Sequence, residues 1–269
     1  MKNLHKYLVG GLVAVCIFQS NVQAQQQVAV NSNGLFSAGY AAAFIGGLYD
    51  AFYPYRQLKR HGDFGLGAPA RLDGELTMLN GKLYQSRATG ETLPISDTAE
   101  TPYAVVCFFR PTMVFKPNKP MDRAALFHYL DSVLVNQNGI YAIHIKGTFG
   151  YIKTRAFPPV AQKPYQPLAQ MLDRQHFFEF RDTKGDLVGY RTPAFLEGPL
   201  ISGYHFHFLT DTHDHGGHLI DILTNDITIE VEMLSAYTIA VPQTADFNNF
   251  NFKNDRTEEI KSVENGKKQ

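Results

Sequence analysis

The spacing of apolar and polar residues divides the chain into a helical opening and a long strand-rich remainder. After the polar stretch QQQVAVNSNG, the Ala-rich segment FSAGYAAAFIGGLYDAFY predicts an amphipathic helix from about Ser37 to Tyr49, and YRQLKRHG predicts a second short helix ending at Gly62. GELTMLNGKLYQSR sets Asn80-Gly81 between two alternating runs, the strongest short-range signal for a β-hairpin. YAVVCFFRP predicts a buried strand. MDRAALFHYLDSVLV, Met121 to Val135, predicts a helix because Leu126, Tyr129, Leu130, Val133 and Leu134 recur at helical spacing. IYAIHIKGTFGYIKTRAF alternates on both sides of Gly147 and predicts a strand pair.

The stretch PPVAQKPYQP, Pro158 to Pro167, has the composition of a domain linker or crossover. Beyond it, HFFEFRDTKGDLVGYRTPAF predicts a hairpin turning at Lys184-Gly185, and GYHFHFLTD, HLIDILTNDITIEVEM and AYTIAVP predict further strands. NDRTEEIKSVENG predicts a short final helix, capped by Asn254, Asp255 or Thr257 and stopped by Gly266. The expected architecture is α/β (α+β) in two domains. Residues 30–160 would form an N-terminal mixed β-sheet with helices, and 161–269 a C-terminal, mainly antiparallel β-sheet.

Composition narrows the setting. A chain of 269 residues with 44% hydrophobic residues can bury a substantial core. Its formal charge of zero offers no basic stripe for nucleic acid and no acidic excess typical of a disordered tail. The first residues place Lys2 and Lys6 before an apolar run from Tyr7 to Phe18, followed by Val22-Gln23-Ala24, the pattern of a secretory signal peptide over residues 1–24. That run falls short of the roughly 20 residues a membrane-spanning helix needs. The mature protein is therefore expected to be exported, periplasmic or secreted, with no membrane attachment after cleavage. Val15 is bulky where a lipoprotein site at Cys16 would need a small residue. Cleavage removes Cys16 and leaves Cys107 alone, so stability must come from the core, and from a metal if one is bound, rather than from an internal disulfide.

The candidate chemistry lies in GYHFHFLTDTHDHGGH, Gly203 to His218, which holds five of the ten histidines. In a strand, His205 and His207 share one face while Tyr204, Phe206 and Phe208 take the other, so two imidazoles can address one ion. His218 follows the Gly216-Gly217 turn and can return beside them as a third ligand. Three histidines leave a fourth position open, the arrangement of a catalytic zinc site. His213 and His215 compete for the role from a polar loop. Alternating histidines on the polar face of an exposed strand are the plainer alternative. A cupin-type barrel, with Asp211 as a carboxylate ligand, also fits the H-x-H pattern.

The run KRHGDFGLGAPARLDGEL, Lys59 to Leu76, resembles the HGDFGLG…LDGE segment of α-acetolactate decarboxylases. TPYAVVCFF, IKGTFGYIKTR, LVGYRTPAF, GYHFHFLTD and GGHLIDI follow in the family's order, and the resemblance runs from about Phe36 to Glu264. It implies a two-domain protein, a homodimer, and a Zn2+ ion held by His205, His207 and His218, with His213 and His215 as bystanders. It also implies active-site roles for Glu75, in LDGE, for Arg155, and for a carboxylate near the C-terminus. Glu264 is the better match for that carboxylate and Glu259 its rival. Each has a plainer alternative: a hairpin carboxylate pairing with a neighbour, a strand-end charge, and a solvated surface group. A Glu264 in the last turn of a helix would sit where the dipole disfavours an anion, which points to a functional reason for its place.

The activity so implied is decarboxylation of a small 2-hydroxy-3-keto acid, 2-acetolactate, to acetoin and carbon dioxide, with no organic cofactor. Losing carbon dioxide sends an electron pair into the neighbouring ketone, a charge that a Lewis acid and a guanidinium can stabilise. One departure stands out. Many members of the family carry threonine after GLG, whereas this chain has Ala68-Pro69. The missing hydroxyl gives some weight to a non-catalytic exported metal- or carbohydrate-binding β module on the same scaffold.

Overall fold

The computed structural model describes residues 33–265. The expected signal peptide and Gly266 lie outside them. The strands are β1 (Gly34–Ala38), β2 (Tyr53–Pro54), β3 (Phe64–Ala68), β4 (Glu75–Leu79), β5 (Lys82–Ser86), β6 (Thr92–Pro94), β7 (Glu100–Thr101), β8 (Tyr103–Cys107), β9 (Met113–Phe115), β10 (Ile140–Ala156), β11 (His176–Thr192), β12 (Gly203–Thr210), β13 (Gly216–Leu234) and β14 (Ala236–Ala240). The helices are α1 (Ala41–Ile45), α2 (Tyr55–Leu58), α3 (Arg123–Val133), α4 (Ala245–Asn248) and α5 (Thr257–Asn265). The fold is mixed α+β, dominated by strands.

A seven-stranded sheet runs β14-β1-β8-β3-β4-β5-β6 and is antiparallel except where β14 joins β1 in parallel. A second sheet runs β10-β11-β12-β13-β9 and closes on itself because β13 also pairs with β10. Phe149, Ile152, Leu187, Phe206, Phe208 and Ile229 fill its interior. A second apolar cluster, which includes Phe64, Leu66, Tyr103, Val188, Leu209 and Val263, lies between the two sheets and under α5. Burying a side chain of this size stabilises by about 1.5–3 kcal/mol, so these two clusters supply the main drive to fold.

Several expectations hold. The hairpin turns at Asn80-Gly81, and α3 forms with Asp122 accepting a 2.8 Å hydrogen bond from the Ala125 amide, an N-cap. Others are corrected. Ser37 lies in β1, fully buried between β8 and β14, so the first helix shrinks to α1. The alternating stretches about Gly147 and Gly185 are not hairpins but two continuous 17-residue strands, β10 and β11. The two glycines face each other across the ladder, and the β10–β13 register shifts just after Gly147. Gly147 takes φ +148°, and an added Cβ there would run into the Asp226 carbonyl. The expected boundary near residue 160 does not separate the sheets: β10, before it, pairs with β11 and β13, after it, and β14 returns to β1. The proline-rich segment thus lies in the connection between two adjacent antiparallel strands of one sheet, β10 and β11. Among the described residues, no helix is long and apolar enough to cross a membrane.

Gly147→Ala should lower stability by about 2–4 kcal/mol through backbone strain and overpacking, read as a lower urea midpoint; an unchanged midpoint would contradict the close approach of the Asp226 carbonyl.

Candidate metal centre

Two neighbouring strands carry the three histidines. In β12, His205 and His207 share a face while Phe206 and Phe208 are buried in the closed sheet's interior. His207 lies directly opposite His218 of β13, and on β13's other side His218 lies opposite Arg155 of β10. Directly opposite residues in an antiparallel pair point to the same face, so the ladder itself gathers these side chains. The chain turns at residues 211–215 rather than at Gly216-Gly217, which already pair with Leu209 and Phe208; Gly217 takes φ +134°, and a Cβ there would meet the Arg155 carbonyl at 2.7 Å.

The three rings have centroids 5.0–5.5 Å apart. One ligating nitrogen from each lies within 4.8 Å of the others. His207 Nδ1 is 2.8 Å from the Leu76 carbonyl of β4. A carbonyl only accepts, so Nδ1 carries the proton and Nε2 presents a bare lone pair. That Nε2 is buried and without a hydrogen-bond partner. Orphaned buried polar atoms are rare, and this one, facing two further imidazoles with its tautomer set from behind, fits a metal ion.

Burial pushes the His207 imidazole down to about 3, against the pull of the Leu76 hydrogen bond and with the help of Arg155's charge. Burial, and then neighbouring positive charge, holds His205 and His218 well below their usual range. All three are therefore neutral near pH 7, the form that ligates.

Two carboxylates and a guanidinium complete the site. Glu75, the first residue of β4, sets Oε2 3.5 Å from His207 Nε2, while its Oε1 accepts a hydrogen bond from Arg155. Arg155 also reaches the Val263 carbonyl at 3.4 Å and lies 5.0 Å from the Phe157 ring centroid. Glu264, on α5, sets Oε2 3.8 Å from Nε2 of both His205 and His218. Its carbonyl is 3.4 Å from His218 Nε2, a long contact that ligation would replace. Burial pushes Glu75 up to about 7 against the opposing charge and hydrogen bond of Arg155. Burial pushes Glu264 up to about 8; Arg155 opposes this and Glu75 adds to it.

The six nominated residues, Glu75, Arg155, His205, His207, His218 and Glu264, thus line one small pocket. Its apolar walls include Phe44, Leu168 and Ile201 from distant segments. The other candidates lie apart. His213 bonds the Tyr84 hydroxyl and His215 the Gly90 carbonyl. Glu259 pairs with Arg256, and Asp211, the carboxylate a cupin site would need, faces Lys184 at 4.0 Å on the surface. The Leu76 and Val263 carbonyls escaped sequence reasoning because backbone groups carry no residue signal.

Residues 35–254 match the family model described as alpha-acetolactate decarboxylase; α5 lies beyond the matched span. An alpha-acetolactate decarboxylase of Methanosarcina mazei is 34% identical over 87% of this chain and 81% of its own. That of Bacillus subtilis is 32% identical over 86% of this chain and 90% of its own. A crystal structure of the alpha-acetolactate decarboxylase from Bacillus subtilis strain 168 superposes with a TM-score of 0.83 at 31% identity, covering 87% of this chain and all of that one. A Staphylococcus aureus protein of unknown function, described as similar to alpha-acetolactate decarboxylase, gives 0.79 at 26% identity over 86% of this chain and 100% of its own.

His205→Ala and His218→Ala should each lower metal content, measured by mass spectrometry on dialysed protein, from near one equivalent to near zero, while His213→Ala keeps it. The reverse pattern would move the centre to the loop.

Proposed function

This chain belongs to the alpha-acetolactate decarboxylase family, and from that premise we propose that it is a zinc-dependent carboxy-lyase converting 2-acetolactate (2-hydroxy-2-methyl-3-oxobutanoate) to acetoin and carbon dioxide. The observation that carries the reading is one buried pocket in which three neutral imidazoles adjoin the Glu75–Arg155 pair and the Glu264 carboxyl. His205, His207 and His218 would hold Zn2+, whose chemistry when bound is Lewis-acid polarisation of the substrate's ketone.

The chain's own groups account for the rest. Arg155, always charged, lies in the pocket with one hydrogen bond to Glu75 and draws the anionic substrate in as a fork-shaped donor for its carboxylate. As the bond to the carboxylate breaks, its electron pair moves into the neighbouring ketone, giving an enediolate and free carbon dioxide. One proton delivered to carbon completes acetoin. Glu264 is the group suited to deliver it. Glu75 is tied to Arg155, whose charge and hydrogen bond favour its ionised form and hold its rise to about 7, whereas Glu264 is pushed up to about 8. A bound cation lowers both, and the carboxyl with the higher starting value keeps its proton longer. Delivery from one side fixes the handedness of the product. Glu264 also borders an open surface pocket with Arg123, Tyr204 and Lys261, through which it can regain a proton from solvent. The apolar walls exclude water from the remaining faces.

The leader pattern supports export after cleavage at Ala24, and the family resemblance supports a homodimer. Ala68 is the feature that favours a non-catalytic module instead, and turnover separates the two. Purified mature protein with near one zinc per chain should release acetoin from racemic 2-acetolactate and stop after chelation; activity in a metal-free preparation would refute the mechanism. Glu264→Gln should lower kcat by about 10²–10⁴ while Glu259→Gln leaves it within twofold, measured by the same acetoin assay; the opposite ranking would reassign the proton donor.

A further inference from the structure

Buried phenols in this protein are mostly satisfied by protein partners. Tyr49 donates to the Gln166 carbonyl at 2.9 Å, Tyr190 to the Phe64 carbonyl at 3.0 Å, and Tyr141 to the Asn136 carbonyl at 3.2 Å. Tyr103 departs from this rule. It is only 2% exposed, yet its hydroxyl has no hydrogen-bond partner among the described residues; its polar contacts, with Thr101, are made by its backbone. Tyr55 is also unpaired, but it is packed in the apolar cluster with Leu58 and Leu76. Tyr103 instead lines the histidine pocket together with Glu75, Arg155 and Glu264.

Its setting favours a donor aimed at a guest. Burial raises the phenol well above its usual range, with Tyr237, Glu264 and Glu197 adding to the shift, so it stays protonated. Phe44, which lines the same pocket, stacks on its ring at 5.8 Å and 19°. Ala68 lies directly opposite it in the β3–β8 ladder and contributes only a methyl group to the same wall. Tyr103 is therefore the hydroxyl of that wall. A phenol O–H at a pocket wall with no protein partner is free to donate to a polar guest there.

We propose that Tyr103 is a substrate-contacting residue whose hydroxyl donates a hydrogen bond to an oxygen of the bound 2-hydroxy-3-keto acid. The inference rests on the decarboxylase reading and adds to it a residue that neither motif nor metal geometry nominates. A hydroxyl on this wall would discriminate in favour of substrates with an acceptor oxygen at that point.

The test is Tyr103→Phe, which keeps the ring and its stack on Phe44. Its kcat/KM for 2-acetolactate should fall about 10- to 100-fold, with zinc content and Tm equal to or above wild type. A kcat/KM within twofold of wild type would overturn the proposal. So would a loss accompanied by missing zinc or a lowered Tm, since the tyrosine would then act through the fold. The two readings fail differently: wild-type protein that holds zinc but releases no acetoin removes both, whereas an active wild type with an equally active Tyr103→Phe removes only this one.

Discussion

The site depends on one pairing, His207 opposite His218 across the β12–β13 ladder. Side chains alternate with a period of two, so a slip of one residue would turn His218 toward the opposite face and break the group. The register is protected from both ends. Phe206 and Phe208 are buried in the present alignment, and Gly217, paired with Phe208, leaves no room for a side chain against the Arg155 carbonyl. The apolar core of the closed sheet thus specifies where the imidazoles stand, and the candidate metal centre follows from ordinary hydrophobic packing.

Burial then does the chemistry's groundwork. The low-dielectric pocket disfavours charge on each imidazole and on each carboxyl, so the histidines are held neutral and Glu264 is biased toward its protonated form. Arg155 is the one permanent charge in the wall, and its bond to Glu75 pairs the mixed sheet with the closed one across the pocket. Neither sheet makes the site alone. The Leu76 carbonyl of the mixed sheet orients His207, while α5 brings Glu264 from the far end of the chain. That division accounts for a cavity lined from so many distant segments.

Much of this was legible in the sequence. The alternation in GYHFHF exposed which histidines share a face, and Asn80-Gly81 named its own turn. The errors have a physical pattern. A long strand with a glycine at its middle looks, locally, like two strands and a turn, because Gly147 and Gly185 meet only across the sheet. The alanines around Ser37 predict a helix, whereas its burial between β8 and β14 is a tertiary fact. The division at residue 160 missed the return of β14 to β1, a parallel pairing between the ends of the described chain. Glu264 and Glu259 differ only in which side of α5 meets the histidines, and helical spacing alone assigns no direction to either. Tyr103 was visible in TPYAVVCFF as a strand residue, but its unpaired hydroxyl appears only once the pocket is closed around it.

X-ray absorption at the zinc edge tests the central claim most directly, since it reads the ligands of the ion itself in the active protein. The account predicts three imidazole nitrogens at about 2.0–2.1 Å, oxygen in the remaining coordination and no sulfur. A spectrum fitted by fewer than three imidazoles, or by sulfur from Cys107, would contradict it.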